Sequence, residues 1–219
     1  MIFAHFLLKL LNSLSVFPII LTKKLYRIKS IKKGIPNFNK AFYSMKGKEG
    51  ISMKMNKILN APENFVPETL EGILLASNQK LLSLDKENRV IVSNYPCKSG
   101  KVGIVTAGGS GHLPTFLGYV GKGMLDGCTV GNVFASPSAS KMADTIRACD
   151  KGSGVLCLYG NYGGDHMNFT MAREEVEFDG INTAAVRVTD DVASSENKNL
   201  RRGVAGMVFA FKVAGAAAD

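Results

Sequence analysis

Two glycine-rich stretches each place one titratable side chain directly after an apolar run. The first, TAGGSGHLP at residues 106–114, leads to His112, and the second, LYGNYGGDHMNF at residues 158–169, leads to Asp165. An imidazole and a carboxylate that face one cavity can act together as a general base on a substrate hydroxyl, and they can hydrogen-bond the oxygens of a polyol. Glycines also let a ligand approach the backbone closely. The two stretches therefore predict a site for a small hydroxylated molecule.

Each of the two side chains also has a purely structural interpretation. Asp165 could cap the N-terminus of the helix expected after it, which is a common use of aspartate. His112 could be a packed, hydrogen-bonded histidine. For either residue alone both interpretations stay open, and it is the equivalent placement of the two in glycine-rich loops that favours a shared site.

Other catalytic and phosphate-binding motifs fail at the first stretch because their spacing is not met. A dinucleotide-binding GxGxxG motif needs glycine or alanine where Pro114 stands, and the Walker A pattern GxxxxGK[ST] is absent from the sequence. A nucleophile elbow, GxSxG, fails because His112 occupies the place of its second glycine. A hydrolase that combines Ser110 with Asp165 and His166 stays conceivable, but adjacent residues rarely face one nucleophile.

Three further polar pairs have mainly structural interpretations. Ser136–Pro137 resembles a helix N-cap followed by proline at the first helical position, which makes the SxxK spacing of Ser138 and Lys141 incidental. Asp190–Asp191 could hold Mg²⁺, although a solvated turn fits adjacent acids better. Arg201–Arg202 lie at the start of an expected helix, where the dipole disfavours cations. This is consistent with a contact to a carboxylate or an anionic partner, but a structural role is favoured.

The elements that must position these residues alternate between strands and helices. Short β-branched or apolar runs predict strands at residues 89–94, 101–106, 128–134, 154–159 and 183–189. Apolar spacing predicts helices at residues 66–79, 114–124, 136–150, 164–180 and 201–218. This alternation predicts an α/β fold in which a layered, largely parallel sheet carries helices on both faces. Ligand sites in such sheets form at the carboxyl ends of the strands, which is where His112 and Asp165 stand.

Charge is unevenly distributed along the chain, and its distribution argues against nucleic-acid binding. The formal net charge is +9, but residues 1–54 hold eleven Lys/Arg against one acid, Glu49, which leaves 16 basic and 17 acidic residues in residues 55–219. No basic face interleaved with aromatic residues remains in that body for nucleic acid. The four cysteines lack CxxC spacing, which indicates reduced, packed thiols of a cytoplasmic protein. We therefore expect no metal site.

The first 54 residues form a basic and apolar N-terminal extension, distinct from the globular domain expected at residues 55–219. Its apolar run, residues 1–21, contains a lysine near the middle and is a poor membrane span. Its positive cluster follows this run, which is the reverse of a secretory signal. One interpretation is an organelle-targeting or membrane segment. The other is a start codon assigned too early, because Met53 and Met55 stand directly before the first regular element.

Four stretches of the body, taken in order, resemble a single family. They are GKVGIVTAGGSGHLPTFLGYVGKGMLDGCTVGNVFASPSASK, GVLCLYGNYGGDHMNF, VTDDVA and RRGVAG. In order and spacing, from about Met55 to Asp219, they look like the DhaK family, the substrate-binding subunits of dihydroxyacetone kinase. The resemblance implies the α/β fold of the DhaK N-terminal domain, a short ketose such as dihydroxyacetone as substrate, and transfer of a phosphoryl group to its terminal hydroxyl.

The same resemblance implies roles for particular residues and partners. The substrate site of the family maps onto Gly109, Ser110, Gly111, His112, Ser136 and Asp165. Within the family the histidine acts with the carboxylate to activate the hydroxyl, so His112 and Asp165 are the implied catalytic pair. Family members bind no nucleotide on this domain. The resemblance therefore implies ATP, or ADP fed by the phosphotransferase system, with Mg²⁺ on a separate DhaL-type subunit or domain, and a cytoplasmic homodimer of the ketose-binding chain.

Two departures from the family pattern bear on function. Many relatives have lysine where this chain has Gly160, so a polar contact to the sugar is lost and a longer ketose such as erythrulose becomes an alternative substrate. The family's second half carries a histidine, in a segment resembling GIHGEPG, that forms a hemiaminal with the ketone, and residues 1–219 contain no match to it. We therefore expect a truncated or split gene product. Two function classes follow: part of a ketose kinase, or a non-catalytic ketose-binding or regulatory relative.

Overall fold

A six-stranded sheet organises residues 60–219, the part of the chain that the structure, a computed structural model, describes. Its strands are β1 (Leu81–Ser83), β2 (Val90–Ser93), β3 (Gly103–Gly109), β4 (Gly127–Gly131), β5 (Val155–Gly160) and β6 (Thr183–Val188). The order is β1-β2-β4-β3-β5-β6; β4, β3, β5 and β6 run parallel to one another, whereas β1 with β2 and β2 with β4 are antiparallel. The prediction of a largely parallel sheet is confirmed. The short strand β1 was not predicted.

Helices cover both faces of this sheet, as predicted. They are α1 (Phe65–Ala76), α2 (Ala139–Cys149), α3 (Gly163–Glu177) and α4 (Met207–Ala218). Successive residues of a strand point to opposite faces, so Ile104 of β3 packs in a cluster with α1 and α4, and the next residue, Val105, packs in a cluster with α2 and α3. The central strands β3 and β5 are almost wholly buried, which is typical of parallel strands covered on both sides.

The predicted helix at residues 114–124 is wrong. This segment contains only a short 3-10 turn at Leu117–Tyr119. A longer helix is interrupted by positive-φ backbone at Phe116, with a φ of +72°, and at Gly123, with a φ of +70°. Phe116 turns its ring into the core against Gly108, where a Cβ atom would overlap the ring. Pro114 therefore begins no helix.

The predicted helix at residues 201–218 begins later, at Met207, because Asp190 holds the chain just before it. The Asp190 carboxylate accepts hydrogen bonds from the backbone N–H of Val204 at 2.9 Å and of Gly206 at 2.8 Å. A negative charge at this end of α4 also complements the helix dipole. Asp190 therefore serves as a structural clamp and not as part of a Mg²⁺ site. Asp191 forms the predicted turn, in which its Oδ1 atom accepts a hydrogen bond from the backbone N–H of Ala193 at 3.0 Å.

The four cysteines of the described region are free thiols, and three of them are buried, which agrees with the prediction that most are packed. Cys128, Cys149 and Cys157 are buried, whereas Cys97 is exposed. Burial raises the pKa of Cys157 to about 12, and it raises the pKa of the other two buried thiols as well. These three thiols are consequently poor nucleophiles. Within residues 60–219 no three His, Cys, Asp or Glu side chains are grouped so that they could hold a metal ion.

The predictions for the N-terminal extension, residues 1–54, lie outside the described residues. Among the helices of residues 60–219, none is long and apolar enough to cross a membrane.

A pair of buried threonines allows a test of the core. Thr106 on β3 is fully buried and its hydroxyl has no hydrogen-bond partner among the described residues, whereas the Thr129 hydroxyl on β4 lies 2.6 Å from that of Thr145. We expect Thr106→Val to raise the free energy of unfolding by about 1 kcal/mol and Thr129→Val to lower it by about 1 kcal/mol. Urea denaturation measures both changes. Equal destabilisation by the two variants would contradict the assignment of Thr106 as unpartnered.

Candidate active site

Both glycine-rich stretches leave the sheet at its carboxyl edge. β3 runs directly into a 3-10 turn, Ser110–His112, and β5 is followed after two residues by α3, which carries Asp165 in its first turn. Because β3 and β5 are parallel neighbours, the two connections emerge side by side. The structure thus brings His112 and Asp165 to one corner of the molecule, and the charge of the imidazole acts on the carboxylate.

The connection after β4 supports this corner. We call residues 132–138 the Ser136 loop. Its carbonyl groups accept hydrogen bonds from the 3-10 turn: Ser110 N–H donates to Asn132 O at 3.0 Å, and Gly111 N–H donates to Val133 O at 3.1 Å. The loop therefore fixes the backbone that presents His112.

The glycines of the corner serve close packing of the backbone. A Cβ atom on Gly109 would lie 2.9 Å from the carbonyl oxygen of Asn132, and one on Gly111 would overlap that of Val133. A Cβ atom on Gly164 would lie 2.7 Å from Ser136 Oγ. The sequence analysis expected the glycines to make room for a ligand. In the structure they make room for the Ser136 loop.

Asp165 is buried, with 4% of its surface exposed, and its Oδ1 atom has no hydrogen-bond partner in residues 60–219. It is not the cap of α3, because Tyr162 occupies the N-cap position. Burial raises the pKa of the carboxyl above its usual range, while a hydrogen bond from Ser136 and the charge of His112 act in the opposite direction. A carboxylate with a raised pKa is a stronger base, which suits proton abstraction from a hydroxyl.

His112 is exposed, and aromatic rings flank it. Its imidazole lies 5.7 Å from the ring of Phe116, edge to face, and 5.9 Å from the ring of Tyr162. These contacts orient the imidazole and leave it accessible from solvent. The interpretation of His112 as a packed core histidine is therefore not supported.

Ser110 and Ser136 complete the polar groups of the corner. Ser110 is buried, with 5% of its surface exposed, and its Oγ atom has no partner among the described residues. Leaving a buried polar atom without a partner costs about 1–3 kcal/mol, so two such atoms, on Ser110 and Asp165, are an unusual arrangement. Ser110 Oγ and Asp165 Oδ1 therefore keep unused hydrogen-bonding capacity. The predicted helix cap at Ser136–Pro137 is wrong, since α2 begins at Ala139 and Ser136 lies against Gly164 of α3.

Several other predicted candidates stay outside the corner. The Nδ1 atom of His166 lies 3.2 Å from the Tyr159 hydroxyl, which removes the basis for a hydrolase that pairs it with Ser110. Arg201 precedes α4 and donates to the carbonyl oxygen of Ser195 at 3.0 Å, so its role is structural, as the sequence indicated.

Tyr162 is a residue of the corner that sequence reasoning missed. Its ring lies beside His112, its hydroxyl donates to Gly203 O at 3.0 Å, and the Arg202 guanidinium lies 5.9 Å from its ring centre. The ring also fills the space next to Gly160, where a Cβ atom would lie 2.8 Å from it. The only available signal was an aromatic residue within the glycine-rich stretch.

Comparisons with known proteins show the family of this chain. The family model described as the Dak1 domain matches residues 71–219. The chain belongs to the Dak1 domain family. The resemblance to dihydroxyacetone kinase substrate-binding subunits is confirmed, since the Dak1 chain is 44% identical over 164 residues to the dihydroxyacetone-binding subunit DhaK of PTS-dependent dihydroxyacetone kinase 2 from Listeria innocua.

The Dak1 chain is also similar to longer kinases. It is 42% identical over 167 residues, 75% of its length, to the L-erythrulose 1-kinase of Mycolicibacterium smegmatis. The crystal structure of the dihydroxyacetone kinase of C. freundii superposes with a TM-score of 0.68 at 32% identity, and the match covers 74% of this chain and 30% of that one. The fold prediction is thereby confirmed. The chain spans 50% of the Listeria subunit and 29% of the Mycolicibacterium kinase.

Proposed function

We propose that the chain is the ketose-binding part of a kinase that phosphorylates a short ketose, such as dihydroxyacetone, at its terminal hydroxyl. The observation that carries this proposal is the pair of buried, unpartnered polar atoms, Ser110 Oγ and Asp165 Oδ1, beside the accessible imidazole of His112. A three-carbon or four-carbon ketose carries several hydroxyl groups, which are the kind of hydrogen-bond partner that these two atoms lack. The relatives' names support the substrate class.

The residues of the corner have the following roles. Asp165, with its raised pKa, accepts the proton of the terminal hydroxyl as that oxygen forms a bond to phosphorus and the bond between phosphorus and the donor's leaving oxygen breaks. His112 acts with it in activating the hydroxyl. Ser110 and Ser136 hydrogen-bond the sugar, and Gly109 and Gly111 keep the turn close to the Ser136 loop.

The phosphoryl donor belongs to a partner. The sequence contains no Walker A loop, so we assign ATP or phosphorylated ADP, with Mg²⁺, to a separate DhaL-type subunit or domain. The bound nucleotide supplies the phosphoryl group, and this chain supplies and orients the acceptor. A homodimer in the cytoplasm is part of the same proposal.

The space beside Gly160 bears on the choice of ketose. Tyr162 and Met207 occupy it, since a Cβ atom on Gly160 would lie 2.8 Å from the Tyr162 ring and 3.1 Å from the Met207 sulfur. A lysine at this position would have to displace both. Compared with relatives that carry lysine here, this chain has no charged group at position 160 to contact the sugar. We take this difference to favour erythrulose as a second substrate beside dihydroxyacetone.

Binding of the ketose to the full chain tests the proposal directly. We expect dihydroxyacetone to shift the NMR signals of the His112 ring in a saturable manner, and Ser110→Ala to weaken binding by about ten-fold because one hydrogen bond to the sugar is lost. Ser140→Ala, at an exposed serine of α2, is the matched control and should bind as the parent does.

The outcomes separate the two function classes. Absence of any ketose-dependent shift would contradict ketose binding. Binding that persists without phosphoryl transfer, after the nucleotide-bearing subunit and the second half found in relatives are added, would assign the chain to the non-catalytic class.

A further inference from the structure

The turn between β1 and β2 lies outside the proposed ketose site, yet it contacts the first residues of the Ser136 loop. The Arg89 guanidinium donates through Nη1 to Gly131 O at 2.8 Å and to Val130 O at 3.4 Å, and through Nη2 to Asn132 Oδ1 at 2.9 Å. These acceptors lie at the carboxyl end of β4 and at the start of the loop. One side chain therefore holds the point at which the loop leaves the sheet.

The same turn also holds the chain beyond the other end of the loop. Asp85 Oδ2 accepts from Lys141 Nζ of α2 at 2.6 Å, while Asp85 Oδ1 accepts from the backbone N–H of Arg89 at 2.7 Å and of Val90 at 2.9 Å. The carboxylate is thus bonded on both oxygens, and it joins the turn to the first part of α2. The Ser136 loop is bracketed by two charged contacts from one short turn.

The contacts of the β1–β2 turn are linked to the proposed ketose site through backbone hydrogen bonds of the Ser136 loop. Asn132 O and Val133 O are the acceptors that fix the N–H groups of Ser110 and Gly111, and these residues lead directly to His112. We propose that Arg89 is a positioning residue for ketose binding, which sets the placement of the turn Ser110–His112 through the start of the Ser136 loop. The effect of Arg89 on ketose binding rests on the proposed function, whereas its effect on the placement of the turn Ser110–His112 does not.

The chemistry of the guanidinium explains why arginine is required. Its planar fork bonds a backbone carbonyl and a side-chain amide oxygen at the same time, with the strength of charge-assisted hydrogen bonds. Lysine has one nitrogen and cannot reproduce this geometry. Arg89→Lys should therefore retain the charge and lose most of the positioning.

Hydrogen exchange and ketose binding in the full chain test the inference together. For Arg89→Met we expect the amides of Ser110 and Gly111 to exchange about ten-fold faster and dihydroxyacetone to bind about ten-fold more weakly, with Arg89→Lys close to the methionine variant. Arg147→Met is the matched control, since it removes an arginine bound to Asp144, Glu175 and Asp179 far from the loop. It should change neither measurement.

Asn132→Ala removes a single exposed acceptor of Arg89. It is a milder change that still tests the inference if Arg89→Met does not fold. It should speed exchange at the same two amides by a smaller factor. Unchanged exchange at these amides in Arg89→Met, or an equal rise at buried amides throughout the sheet, would overturn the inference. If the parent chain binds no ketose, the proposed function fails, and the exchange measurement still decides the role of Arg89.

Discussion

Asp165→Asn is expected to lower the turnover of the assembled kinase by about 10²–10⁴-fold, the usual loss when a general base is removed. The amide has the shape of the carboxyl and can still hydrogen-bond the sugar, but it cannot take the proton of the hydroxyl. We therefore expect kcat to fall much more than ketose affinity. Steady-state phosphorylation of dihydroxyacetone by the chain, combined with the second half found in relatives and a nucleotide-bearing subunit, measures the effect.

The same variant should not be less stable than the parent. Burial raises the pKa of Asp165, so in the folded protein the carboxyl resists ionisation, and its contribution to stability is present at low pH and is lost as the pH rises through the raised pKa. Asparagine carries no charge and avoids this loss. The free energy of unfolding of Asp165→Asn should equal or exceed that of the parent at pH 7, and the difference should vanish below pH of about 4, the value for a free aspartate.

Asp144→Asn provides the matched control for this prediction. Asp144 is an exposed acid of α2, 3.4 Å from Arg147, and it has no contact with the corner. Turnover should be unaffected by its replacement. Near-normal turnover of Asp165→Asn would remove Asp165 from the catalytic role.

Gly111→Ala is expected to abolish measurable ketose binding and to lower the free energy of unfolding by about 1–3 kcal/mol, the usual cost of overpacking. The added methyl group would overlap the carbonyl oxygen of Val133, and this carbonyl also accepts the hydrogen bond of Gly111 N–H at 3.1 Å. The turn must move away from the Ser136 loop, and Ser110 and His112 move with it. Urea denaturation and NMR titration with dihydroxyacetone measure the two effects.

Gly163→Ala separates this steric effect from a general effect of glycine replacement. Gly163 is the first residue of α3, close to Asp165 in sequence, and a Cβ atom there would meet nothing within 4 Å. Alanine restricts the unfolded chain and fits a helix, so stability should rise by about 0.5 kcal/mol while ketose binding is retained. The steric explanation for Gly111 is untenable if both alanine variants lose binding equally.

Local patterns predicted most of the sheet because its central strands are short and largely apolar. The runs at 101–106 and 154–159 correspond to β3 and β5, since a strand buried on both faces consists mostly of apolar residues. The helix expected at 114–124 failed because the same apolar residues fill the core from an irregular segment, in which Phe116 and Gly123 have positive φ values that a helix does not contain. Apolar spacing alone does not distinguish a helix from an irregular segment whose apolar side chains fill the core.

The candidate site was also only partly predictable from the sequence. His112 and Asp165 were predictable because each follows a strand in its own glycine-rich stretch. Two other features of the site depend on residues that are distant in sequence. Ser110 Oγ and Asp165 Oδ1 have no hydrogen-bond partner among the described residues. Arg89 contacts Asn132, which lies 43 positions further along the chain. The sequence pattern assigns such residues to strands and turns, but it does not predict which distant residues they will contact.

The two unpartnered atoms, on Ser110 and Asp165, have a consequence for heating experiments. A polyol that bonds to them binds the folded chain and not the unfolded one, so it must raise the melting temperature by an amount that grows with the logarithm of its concentration relative to its dissociation constant. At a hundred-fold excess over its dissociation constant the gain is about 2.7 kcal/mol. Thermal shift can therefore rank trioses, tetroses and their reduced alcohols on this chain alone, with neither donor nor partner present.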